Sequence, residues 1–243
     1  TPNEIAPKRR KELRACGKAG MLRVRGVMIM REYKARIVDQ ILQAKLEAKG
    51  AVVIEGPKWC GKTTTAMQVA GSILRIDEPS KRESNIQMSQ IAPERLLQGE
   101  TPRLIDEWQI APKLWDAARY EVDSRGEVGQ FIFTGSAVPI ESEEITHSGT
   151  GRFTWLTMRP MSLYESGESS GEVSLGDLFL KPERIVGSNS TDILQLAYFI
   201  CRGGWPQAIG MREAAALSQA VDYYDAVVKS DINREIRRES GVL

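Results

Sequence analysis

The eight residues Gly56-Pro57-Lys58-Trp59-Cys60-Gly61-Lys62-Thr63 spell Gly-x4-Gly-Lys-Thr, and no other stretch constrains the chain as strongly. Before them runs Ala51-Val52-Val53-Ile54-Glu55, apolar and of strand length; after them, Thr64 to Ala70 reads as a helix. A strand, a glycine loop and a helix in that order aim backbone N–H groups and the positive end of a helix dipole at phosphate oxygens. Gly56 and Gly61 permit the tight curl, Lys62 supplies a point charge for the β- and γ-phosphates, and the Thr63 hydroxyl suits Mg²⁺. The run Gly56, Pro57, Lys58, Trp59, Cys60, Gly61, Lys62, Thr63 and Thr64 is therefore the candidate nucleotide-binding segment.

A phosphate loop needs a second acidic element for the metal. Arg103-Leu104-Ile105-Asp106-Glu107 offers one, a short apolar strand ending in two carboxylates 44 residues beyond Lys62. Asp106 is the candidate metal residue alongside Thr63, and Glu107 the group that polarises an attacking water. The next apolar run, Gln130 to Ser136, also ends in polar residues that a parallel sheet would bring to its carboxyl edge, where ligands of open α/β sheets collect. Thr134 or Ser136 there is either a γ-phosphate sensor or plain turn chemistry.

Composition permits this reading. A chain of 243 residues with 42% hydrophobic content can bury one substantial core and a second small one. No segment has the apolar length needed to span a membrane, and the first residues lack an apolar signal region. Cys16, Cys60 and Cys201 show no metal-ligand spacing, which implies a reducing, cytoplasmic setting. Cys60 lies within the phosphate loop, either as a variable position or as a thiol whose oxidation blocks nucleotide. The formal charge of +1 hides an asymmetry, because residues 1–36 hold eleven Lys/Arg against three Glu. Such an arm suits nucleic acid or another acidic partner, or is a solvated, disordered extension upstream of the folded core.

Further along, Ile37, Val38, Ile41, Leu42 and Leu46 mark one face of a helix before the first strand. Strand runs at Ile73–Asp77, Leu104–Ile105 and Phe131–Phe133 alternate with helices at Ala92–Leu97 and along the stripe Leu114, Trp115, Ala118, Val122. That alternation predicts a mostly parallel sheet covered by helices on both faces. Beyond Gly151 the pattern changes: a last strand at Phe153–Met158, a break at Pro160, a short helix at Ser162–Glu165 and a Gly/Ser/Glu-rich linker from Glu165 to Ser174. Ile193 to Cys201, and then Leu217 to Ile236, are helical in pattern. The expected organisation is a basic, disordered extension over 1–29, a P-loop domain over 30–158 and a mainly helical region over 159–243 that begins a second domain.

Five motifs occurring in order, Glu55 to Thr64, Leu104 to Gln109, Phe133 to Ser136, His147 to Arg152 and Met158 to Leu163, resemble the prokaryotic AAA-type ATPases that carry a C-terminal domain of unknown function. The resemblance runs from about Tyr33 to Ile209. It implies the additional-strand P-loop architecture of AAA and RecA-like proteins, with the phosphate-loop strand flanked by the strands bearing Asp106 and Ser136. It implies ATP with Mg²⁺, ADP as product, and a site in which Lys62, Glu107, Ser136 and Arg152 take catalytic roles. Arg152 follows the Ser148-Gly149-Thr150-Gly151 segment and is either an arginine finger, in the same or a neighbouring subunit of a homo-oligomer, or an anchor for its own loop. Arg159, before Pro160, is a weaker candidate, and the lone His147 reads as a loop residue.

Other chemistries compete. A GTPase reading of Asp123-Ser124-Arg125-Gly126 fails, because that segment ends a helix and no Asn-Lys-x-Asp follows. A small-molecule kinase also needs Lys62 and Thr63, yet Glu107 after Asp106 suits water activation. A slow nucleotide-dependent switch that controls binding to DNA or protein, through the basic arm or a C-terminal domain, shares every motif with an ATP-driven remodeller.

Overall fold

A computed structural model of the chain describes residues 20–24, 27–135 and 149–232. Ser136, His147, Ser148, Cys16 and Ile236, all singled out above, lie outside them, as does most of the basic arm. The chain divides into two compact units, Thr1–Arg159 and Pro160–Leu243.

In the first unit, β1 (Gly20–Val24) and β2 (Val27–Arg31) pair antiparallel within the segment expected to be structureless. Helix α1 (Ile37–Ala48) leads to β3 (Ala51–Glu55), and the phosphate-loop sequence then opens α2 (Lys62–Ala66). Strand β4 (Ser72–Arg75), helices α3 (Arg82–Ile91) and α4 (Pro93–Leu96), β5 (Arg103–Asp106), a 3-10 turn (Trp108–Ile110), α5 (Lys113–Arg125), β6 (Phe131–Thr134) and β7 (Phe153–Thr157) follow. β3 to β7 form one parallel sheet in the order β4-β5-β6-β3-β7.

This order corrects one expectation. The phosphate-loop strand β3 lies between β6 and β7, so the Asp106 strand is not its neighbour; β6 is inserted between them. β5 and β6 are both short apolar runs, and strand order is set by how the crossover helices pack on the sheet rather than by anything within either run.

Period-two alternation sorts the strand side chains into two layers. Ala51, Val53, Ile105, Phe131, Phe133 and Phe153 share one buried cluster with Leu114, Trp115, Ala118 and Val122 of α5. Trp115 lies 4.4 Å from Phe153 and 5.1 Å from Trp108, centroid to centroid, so an aromatic stack anchors the turn that follows Asp106. α1 covers the other face: it contacts β3 and β7, and Lys45 Nζ donates to Thr154 Oγ1 at 3.1 Å. Only Leu42 and Leu46 of its apolar stripe are buried, whereas Ile37 and Ile41 are exposed.

The second unit is helical: α6 (Leu163–Ser166), α7 (Leu175–Leu180), α8 (Ile193–Arg202) and α9 (Glu213–Ala226), which continues as a π-helical stretch to Ile232. Ser162 and Glu165 close a capping box on α6, and Arg202, buried, pairs with Glu168 at 2.6 Å. Phe179, Leu180, Ile193, Leu194 and Ile200 are exposed. No helix among the described residues is long and apolar enough to cross a membrane.

Candidate functional site

The carboxyl edge of the sheet collects the motif residues because parallel strands all end there. β3 runs directly into Gly56, whose φ of 151° and close approach to β7 both demand glycine; a Cβ there would stand 2.1 Å from the Met158 carbonyl oxygen. Trp59 (φ 64°) and Gly61 (φ 102°) complete the left-handed curl before α2. The regular helix is shorter than the sequence pattern suggests, five residues continued by turn hydrogen bonds to Ala70, so loop N–H groups and the lysine charge matter here more than a macrodipole.

Lys62 Nζ donates to the carbonyls of Gly56 (2.8 Å) and Pro57 (3.0 Å), which holds the ammonium in the mouth of the loop. Burial lowers its pKa below the ordinary lysine value, opposed by the charges of Cys60, Glu107 and Asp106. Below it, Thr63 Oγ1 and Thr134 Oγ1 both donate to Asp106 Oδ1, at 2.8 and 2.6 Å. Two hydroxyls from separate elements thus converge on one buried carboxylate oxygen. Thr63 and Asp106 are hard oxygen donors, and no group of three or more His, Cys, Asp or Glu among the described residues gathers to hold a metal unaided. That sparse donor set fits Mg²⁺, which takes most of its six ligands from water and phosphate.

Glu107 leaves β5 in the left-handed region, φ 56°, rare for a residue with a side chain. Burial raises its pKa, and the carboxylates of Asp106 and Asp77 add to the rise, while a hydrogen bond from Gln109 and the charge of Lys62 oppose it. Asp77, just past β4, escaped the sequence reading as a neighbour of the site.

A second group of residues missed by the motif reading clamps the loop from below. Arg36, 5% exposed, donates from Nη1 to the Cys60 carbonyl at 2.9 Å and from Nη2 to the Arg159 carbonyl at 2.8 Å. Asp39 accepts the Arg36 backbone N–H at 2.7 Å and the Tyr33 hydroxyl at 2.7 Å, and Tyr33 also bonds Thr65 at 3.0 Å. Burial, the main cause, raises the Tyr33 pKa. The available signal was Asp39 at the third position of α1, a place that favours an acid.

Two residues for which the sequence left alternatives take definite places. The Cys60 thiol is wholly buried, 3.8 Å from the Met158 carbonyl, and burial raises its pKa, so it fills space beneath the loop rather than serving as an oxidisable gate. Arg152 does not reach the phosphate loop of its own subunit. It precedes Phe153, the partner of Ala51, so it lies at the amino edge, beyond the full length of β3 and roughly 20 Å from the loop. There its Nε donates to Asp123 Oδ1 at 2.8 Å, beside a cavity of about 320 Å³ that no phosphate-loop residue lines. Arg159, by contrast, sits at the carboxyl edge with an exposed side chain. Pro57, Lys58, Trp59 and Thr64 are exposed around the loop.

Residues 48–167 match the family model of an AAA domain. Among solved structures, the chain is similar to one titled "Structure of C. elegans PCH-2", with 17% identity over 70% of this chain and 50% of that one and a TM-score of 0.32. The chain thus spans half the length of that solved chain. No curated protein matches. The five-stranded parallel sheet, with the phosphate loop at its carboxyl edge and helices packed on it, is an α/β P-loop NTPase fold.

Proposed function

We propose that the carboxyl edge binds Mg·ATP and hydrolyses its β–γ bond, releasing ADP and phosphate to drive a conformational change. The observation that supports this most is the convergence of the Thr63 and Thr134 hydroxyls on Asp106 below Lys62, with Glu107 at the next position. Lys62 and the loop N–H groups hold the phosphates. Thr63 and Asp106 would hold Mg²⁺, which would supply neutralisation of the developing phosphate charge. Glu107 accepts a proton from the attacking water, and its burial makes it a better base than an exposed carboxylate. Thr134 orients Asp106 and is not free to sense the γ-phosphate; Ser136 keeps that role in this proposal.

Arg36 ties the loop to Arg159, the last residue of the first unit. A homo-oligomer, and a nucleic-acid or protein partner for the basic arm, belong to the same reading. Titration of the protein with a fluorescent ATP analogue and Mg²⁺, beside a phosphate-release assay, tests it. Saturable binding that Lys62→Ala weakens at least tenfold, with turnover abolished by chelating Mg²⁺, is the expected result. Unchanged affinity in Lys62→Ala contradicts it.

A further inference from the structure

Gln109 closes the Leu104 to Gln109 motif without a role assigned to it, yet its amide is committed to the site on one side and orphaned on the other. Trp108, buried in the aromatic stack, fixes the 3-10 turn that carries it. Gln109 Nε2 donates to Glu107 Oε2. A carboxylate only accepts, so the NH₂ group must face Glu107 and the carbonyl oxygen must face away. That oxygen, Oε1, is buried and has no hydrogen-bond partner among the described residues. It points to Gly135, directly after β6, where a Cβ would stand 2.1 Å from it; glycine leaves the room it occupies. Buried acceptors are seldom left unpaired, and this one lies beside the proposed base.

We propose that Gln109 is a second catalytic residue of the site: its Oε1 accepts a hydrogen bond from the attacking water while its Nε2 holds Glu107 against the same water. The inference rests on the hydrolase reading. In the step, the water oxygen bonds the γ-phosphorus and the bond from that phosphorus to the β–γ bridging oxygen breaks. One water proton passes to Glu107, the other stays on the phosphate formed, and ADP leaves with the bridging oxygen. Gln109 gains and loses no proton; it fixes the water's direction. An amide suits this place because it offers a donor to the carboxylate and, from a second atom, an acceptor to the water.

Gln109→Met keeps length and packing while removing both polar atoms. It should lower kcat on the order of 10²-fold and leave the affinity for the fluorescent ATP analogue within about threefold. In a Glu107→Gln background the same change should cost less than about threefold more, because the two residues act on one water. Gly135→Ala, which retains Gln109 but intrudes on its Oε1, should lower kcat in the same direction. Parental kcat in Gln109→Met, or a fall in ATP affinity that matches the fall in kcat, overturns the proposal. If Gln109→Met does not fold, Gly135→Ala carries the kinetic test, and parental turnover there overturns it.

The side-chain amide resonance of Gln109, read by NMR in the full chain, needs no turnover. It should exchange slowly with water and shift in Glu107→Gln; free exchange with no response to that change contradicts the tether. A parent that binds Mg·ATP but never releases phosphate would instead sink the hydrolase reading and leave the tether measurable.

Discussion

Two arginines at opposite edges of one sheet show how position decides what a residue type does. Arg36 and Arg152 each follow a loop and each hold a neighbouring element in place. Arg36 is buried and forks between two carbonyls, one in the phosphate loop and one at the end of the first unit. The Arg152 side chain, 44% exposed, meets Asp123, itself 40% exposed. A planar guanidinium bonded to two carbonyls away from water is expensive to remove, because the acceptors are left without partners. An exposed ion pair is screened and contributes little. The carboxyl edge is therefore a set of mutually dependent buried polar groups, and the amino edge a set of replaceable ones.

The largest effect that would sharpen this contrast comes from Asp106→Ala. It strips both threonine hydroxyls of their shared acceptor and the proposed Mg²⁺ site of its carboxylate, and turnover should fall by about 10³-fold. A phosphate-release assay showing less than a tenfold loss would break the picture of an interdependent edge. Next in size, Arg36→Ala should destabilise the protein by about 3 kcal/mol. For a unit of this size that lowers Tm by about 8 °C, measurable by calorimetry; an unchanged Tm would mean the clamp is ornamental. Burial predicts a third difference. In a Cys16→Ser background, a thiol reagent should label exposed Cys201 at least tenfold faster than Cys60 in the folded protein. Equal rates would place the Cys60 thiol at the surface.

Arg152→Ala should do least: turnover and ATP affinity within about twofold of the parent at every protein concentration, because its partner is an exposed carboxylate. Mixing it with Glu107→Gln should add nothing to the turnover of Arg152→Ala itself. A loss on the order of 10³-fold in Arg152→Ala, recovered on mixing, would reinstate a finger acting between subunits and erase the contrast between the two edges.

Much of the first unit was legible because its signals are local. Gly56 to Thr63 carries its own geometry, and Leu114, Trp115, Ala118 and Val122, all buried, announce α5 by helical spacing. Asp106 and Glu107 stood out because they follow an apolar run. Helix α3 escaped notice: Arg82 to Ile91 is polar, with only Asn85 and Ser89 buried, so no apolar stripe marks it. Arg36 and Tyr33 could not be read as site residues, since their partners Cys60, Thr65 and Arg159 are 24 to 123 positions away. For Arg152 the sequence left a reach to its own subunit's loop open, and only strand direction, which puts its end of β7 at the amino edge, argues against it. The position of β6 between β3 and β5 was equally hidden, because both neighbours are apolar runs of similar length.

In the proposed function the carboxyl edge separates holding ATP from cleaving it, Lys62 and Thr63 serving the first and Glu107 the second. Glu107→Gln tests this most directly, since it keeps the side chain's shape and its place in the left-handed turn while removing the carboxylate. The measurement is Mg·ATP affinity and phosphate release for parent and variant side by side. Affinity within about threefold of the parent, with phosphate release lowered by 10²-fold or more, is the predicted result. Parental turnover in Glu107→Gln would show that Glu107 is not the base and would contradict the account.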